Sequence, residues 1–143
     1  MSDAAGVVVL IGRLMFAFYF GAVAGVGHLK RDKMMRGFAA KVGFPVPAVA
    51  GWVAGLWLVV GAVSVGLGIW PDLGSLMLGA FVIPAAWYFH RFWTFEDEAQ
   101  KGTQKQLFYR NFVILAAAIV FFGTFVTLGP ELRFSITGPL FDF

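Results

Sequence analysis

Few residues in this chain have side chains suited to chemistry, and they are spaced along long apolar runs. His28 and His90 are the two imidazoles among 143 residues, and each stands where an apolar run gives way to polar sequence. Two imidazoles at one depth on neighbouring helices are an arrangement that ligates haem in membrane cytochromes. Against haem, His28 opens the polar stretch HLKRDK, whereas a haem needs both rings aimed inward. His90 sits in YFHRFWTFEDE, Tyr88 to Glu98, a run that turns from aromatic to acidic as a membrane boundary does. The two histidines therefore read as boundary residues, with a polar contact to a quinone or a lipid left open. Arg13 interrupts the first apolar run, and a cation there must be paired or hydrated. It pairs with Glu131, snorkels to the surface, or meets an anionic headgroup, a quinone carbonyl or an oxyanion. Trp57 stands mid-run, away from either aromatic boundary, and its indole N–H needs an acceptor. Packing against the protein's interior, a partner or a quinone ring would each serve. Asn111, next to Arg110, suits a hydrogen bond between helices or a cap on loop backbone.

What is missing narrows the chemistry further. The chain has no cysteine, so thiolate catalysis, disulfides and Cys-ligated metals are excluded within it. No nucleophile–base set, phosphate-binding glycine loop or metal-ligand spacing occurs, so no catalytic residue and no metal site is assigned. The cations are too few and too dispersed for a nucleic-acid surface.

The elements that position these residues follow from composition. Hydrophobic residues make up 59% of the chain and charged residues 13%, about half the share usual in soluble domains. Four apolar runs, residues 7–29, 46–70, 73–93 and 107–128, are each long enough to cross a bilayer as a helix. The first lacks a basic leader segment and reads as a spanning helix rather than a cleaved signal. The expected fold is all-α: one membrane domain, residues 1–143, forming a four-helix bundle of up-down topology. Pro47 opens the second run and Pro84 kinks the third, while Gly129-Pro130 stops the fourth. Nine of the eleven lysines and arginines lie between the first and second runs or around the loop between the third and fourth. The positive-inside rule then places loops 30–45 and 94–106 in the cytoplasm and both termini outside, most simply in a bacterial plasma membrane. Arg91, Arg110 and Arg133 read as interfacial anchors, Arg91 snorkelling from the aromatic boundary. Ala17, Gly21 and Gly25 form one small-residue seam, and Gly51 and Gly55 another, so the first two helices are expected to touch. Met34, Met35, Phe38 and Val42 recur at near-helical spacing among cations; an interfacial helix and an ordinary loop both fit.

The whole pattern resembles the DoxX-like family of small four-helix membrane proteins. GRLMFAFYFGAVAGVGHLK (Gly12 to Lys30) is similar to the family's opening helix, with its early arginine and glycine-rich exit. PVPAVAGWVAGLWLVVGAVSVGLG resembles its second helix, FYRNFVILAAAI the start of its fourth, and ELRFSI its short ending. Many members carry a glutamate four residues before the glycine that matches Gly61, where this chain has Trp57. No acid then falls inside the four predicted spans. Some relatives resemble membrane subunits of a thiosulfate:quinone oxidoreductase, and others are linked to redox complexes. The resemblance implies an accessory or assembly subunit of a larger bacterial membrane complex, respiratory or redox. Two alternatives are a quinone-interacting subunit of an oxidoreductase and a small-solute or lipid transporter acting as a homo-oligomer. Implied partners are lipids and either integral-membrane proteins or further copies of the chain. No cofactor is assigned; quinone stays open and haem is disfavoured.

Overall fold

In a computed structural model, residues 1–141 are described. Helix α1 (Asp3–Lys30) starts where the Ser2 hydroxyl accepts from the Ala5 N–H. After one residue the chain enters α2 (Asp32–Lys41), so the amphipathic stretch is a helix and not an ordinary loop. Pro47–Ala50 form a single 3-10 turn before α3 (Trp52–Leu67). Gly68, at φ 69°, ends α3 in the left-handed region that favours glycine. Helix α4 (Pro71–Phe89) has its proline at the first position and Pro84 inside it. Helix α5 (Glu98–Leu128) closes the set, capped by Asp97, whose carboxylate accepts from the Gln100 N–H at 2.8 Å. No β-strand occurs among the described residues. The fold is all-α, with three helices of membrane-spanning length and apolarity and a shorter fourth, α3.

The helix bounds differ from the predicted spans in ways that local chemistry explains. Helix α5 begins nine residues before position 107, because the polar stretch 98–106 is rich in helix formers behind a good N-cap. Helix α3 has only 16 residues, roughly 24 Å at 1.5 Å per residue, since the Pro47 turn and Gly51 consume the start of that run. Within α1, Tyr19–Gly25 wind as a π-turn that the sequence pattern did not announce.

Helix α3 packs between α1 and α4, and α4 packs on α5. The α1–α3 seam runs antiparallel: Ala17 meets Gly66, Gly21 meets Ala62, and Gly25 meets Val59 and the Gly55 carbonyl. A Cβ added to Gly25 would sit 2.8 Å from Val59 Cγ2, so glycine is required there. Gly51 does not join this seam. It backs onto Asp32 of α2, because the 3-10 turn carries it away from α1. Phe20, Leu58, Val65, Leu78 and Phe125 form the buried core.

The end of the molecule that holds the amino terminus and residues 131–141 has buried charges with partners. Arg13 has no exposed surface. Its Nε donates to the Val65 carbonyl (2.9 Å) and Nη2 to that of Gly66 (3.0 Å). Nη1 donates to Arg133 O (3.3 Å) and Phe134 O (3.0 Å). The carbonyls of Val65 and Gly66 are in the last turn of α3, where no helical N–H can reach them. The expected Arg13–Glu131 pair is therefore replaced by a guanidinium–backbone clamp. Glu131 lies on an exposed 3-10 turn and instead accepts from the Met1 ammonium at 2.9 Å. Arg133 reaches Asp3 at 3.2 Å. Asp72 lies between the second and third predicted spans. It is a fully buried acid in the first turn of α4, and its carboxylate accepts from the Leu140 and Phe141 N–H groups at 2.7–2.9 Å.

Replacing Arg13 by alanine should lower the melting temperature of the detergent-solubilised protein, at a cost of about 3 kcal/mol, because four acceptors lose a charged donor. Arg13→Lys should recover only part, since an ammonium lacks the guanidinium fork. An Arg13→Ala protein that melts like wild type would show that the clamp does not hold this end together.

Candidate functional site

At the opposite end, where the basic loops lie, the helices part around a cavity of about 590 Å³. That volume falls within the usual range for small-molecule sites, roughly 300–1,000 Å³. Its wall is mainly aromatic and aliphatic, with Phe38 from α2, Phe44 from the following loop, and Phe81 and Phe89 from α4. Four of the five residues singled out as binding candidates, His28, Trp57, His90 and Asn111, come together in this wall. Arg13, the fifth, belongs to the clamp at the other end.

Each polar group in the wall has a defined state of hydrogen bonding. His28 Nδ1 lies 2.6 Å from the Ala50 carbonyl, which can only accept, so Nδ1 carries a proton and donates to it. The ring also meets Phe81 edge-on at 5.6 Å. His90 follows the last turn of α4, with Nδ1 2.9 Å from Gln104 Oε1 of α5. The Trp57 indole donates to the Met77 carbonyl at 2.7 Å, so its one polar atom pins α3 to α4. Asn111 differs from all of these. It is only 7% exposed, and its Nδ2 has no partner among the described residues. An unmade hydrogen bond on a buried amide costs about 1–3 kcal/mol, so such a group calls for an explanation.

The backbone of this wall is also interrupted. Pro84 has no N–H, so the Ala80 carbonyl one turn earlier loses its helical donor, and both residues line the cavity. On the α1 side the wall includes Tyr19 and Ala24 of the π-turn. π-Turns are frequent at functional sites. Arg110 stands at the rim and is exposed. Arg91 lies outside the wall, its guanidinium 5.0 Å from the centre of the Tyr88 ring and its Nε on the Trp87 carbonyl. Among the described residues no three His, Cys, Asp or Glu side chains cluster as metal ligands would.

Sequence reasoning located the histidines, Trp57 and Asn111 but missed Met35, Phe38, Phe44, Ala80 and the π-turn as parts of one wall. The proline at position 84 was the available signal, since it removes a donor wherever it falls inside a helix. Nothing in the local sequence announces a π-turn at Tyr19.

The state of Asn111 leads to a prediction of unusual sign. In ligand-free protein, Asn111→Leu should raise stability by about 1 kcal/mol, because an unsatisfied buried donor is replaced by an apolar group of similar size. Thermal melting after exhaustive delipidation measures it. A destabilised Asn111→Leu protein would mean that the amide has a structural partner after all.

No curated protein and no solved structure matches the chain. A family model does match, over residues 8–91, covering α1 to α4 and every cavity residue except Arg110 and Asn111. The four-helix resemblance read from the sequence thus has its counterpart in the first three-fifths of the molecule, and the chain belongs to the DoxX family.

Proposed function

We propose that this DoxX-family membrane protein is an accessory subunit of a bacterial redox complex and that its cavity holds a quinone headgroup. The observation that carries this reading is the unpartnered Asn111 amide in the wall of an otherwise apolar, aromatic cavity. A quinone carbonyl accepts from such an amide, and aromatic rings pack favourably against a flat conjugated ring. His28, with Nδ1 on the Ala50 carbonyl, turns Nε2 to a quinol hydroxyl, which can donate to it. The ring's isoprenoid tail would remain in lipid. On this reading electrons come from a neighbouring subunit; the chain, having no cysteine, offers no thiolates for an iron–sulfur cluster.

The reading includes a topology. All four helices cross the plasma membrane as an up-down bundle, with the cavity end and its cations towards the cytoplasm. A thiol placed at Lys101 should react with a membrane-impermeant reagent only after the cells are opened. Reaction in intact cells would reverse the orientation.

Purification from native membranes in mild detergent tests the functional reading. Stoichiometric integral-membrane subunits and extractable quinone are expected to co-purify. Asn111→Leu should retain roughly tenfold less quinone, equivalent to about 1.4 kcal/mol, while the subunits still co-purify. Quinone reduction by the isolated chain would overturn the accessory role. Recovery without quinone, but with solute flux in liposomes, would favour a transporter acting as a homo-oligomer.

A further inference from the structure

We propose that α2 is a docking surface for anionic phospholipid headgroups. Residues 30–41 carry five cations, Lys30, Arg31, Lys33, Arg36 and Lys41, against one acid, Asp32. All five cations are exposed. Only Arg36 has a carboxylate within ion-pair distance among the described residues, Asp32 at 3.3 Å. That carboxylate is itself engaged, accepting from the Trp52 N–H at 2.9 Å. Four cations on one short helix and its approach are thus left without a counter-charge from the protein.

The other side of α2 fixes its position. Ala39 is fully buried, Met35 and Phe38 contribute to the cavity wall, and the Phe38 ring lies 5.4 Å from Phe89. The helix follows α1 after a single residue, so it lies at the level where α1 leaves hydrocarbon. Met34 is 55% exposed and stands among the cations. Val46, in the loop that follows, is similarly exposed. Cations and exposed apolar side chains on one surface suit a bilayer boundary, which offers phosphate and hydrocarbon a few ångströms apart. An acidic soluble protein offers only the first, and each lysine near an anionic leaflet gains about 1 kcal/mol. A ten-residue helix is also too short to be stable by itself in water. Headgroup contacts would thus supplement the Asp32 tie, holding Met35 and Phe38 in the cavity wall. The inference rests on the membrane crossing proposed above and is independent of quinone.

Hydrogen exchange in nanodiscs tests it. The amides of residues 32–41 should exchange roughly tenfold more slowly when phosphatidylglycerol is included than in phosphatidylcholine alone. High salt should abolish the difference, because exposed charges are screened within a few ångströms. The double variant Lys33→Gln/Lys41→Gln should lose most of the protection, and Lys33→Arg/Lys41→Arg should keep it. Equal exchange in the two lipids, or protection that survives in the glutamine variant, would overturn the proposal. Residues 113–125 of α5 serve as the internal reference. Fast exchange there too would overturn the membrane bundle, and the docking surface with it.

Discussion

A short apolar helix in a medium without water must find partners for its end groups, and α3 is that helix. Its first free donors and last free carbonyls cannot be satisfied by its own backbone. Asp32 takes the Trp52 N–H at one end, and Arg13 donates to the Val65 and Gly66 carbonyls at the other. Each charge also has the sign that the helix dipole favours at its terminus. The remaining helices are arranged around this solution. Arg13 fixes the register of α1 against α3, the glycine seam lets the two approach, and the Trp57 indole ties α3 to α4. The same guanidinium reaches Arg133 and Phe134, so the chain after α5 is held by the group that caps α3.

The two ends of the molecule therefore differ in kind. At the terminal end the buried charges Arg13 and Asp72 have backbone partners, and the amino terminus meets Glu131. At the basic end His28, His90 and Trp57 each have one nitrogen engaged, whereas the Asn111 amide is unpartnered and the Ala80 carbonyl lacks its helical donor. A fully satisfied polar network rigidifies, while a buried polar atom left without a partner calls for one, whether water, ion or ligand. That asymmetry favours the cavity over Arg13 as the proposed binding site, although a buried arginine is the more conspicuous feature of the sequence.

Hydropathy made the helical class and the approximate spans legible, because length and apolarity alone decide whether a helix can cross a bilayer. Seams at Gly21, Gly25 and Gly55 were legible for a similar reason: small residues at four-residue spacing share a face. Arg13's need for partners was legible, but not their identity. Backbone carbonyls carry no letter in a sequence, so an acid such as Glu131 stood as the candidate instead. Asp72 was hidden likewise, since its acceptors are satisfied by N–H groups 68 and 69 residues away. The cavity was legible only as scattered residues. Its wall depends on where α2 folds back, and the ten-residue helix has a pattern that suits a loop as well.

Trp57 shows how the missing glutamate bears on the site. A carboxylate in that wall would be an acceptor or a proton carrier, whereas the indole is a donor already directed at Met77. Among the described residues the cavity wall has no acid, and its titratable groups are the two imidazoles, Tyr19 and the rim arginine. On the quinone reading, a proton delivered to a bound headgroup would have to come through an imidazole. His90 is the one whose fixed partner, Gln104, comes from the part of α5 next to the basic loop. On the same reading, Asn111 positions a carbonyl and a histidine passes the proton. On that reading, position and proton are this chain's part in the reaction, and a neighbouring subunit supplies the electrons.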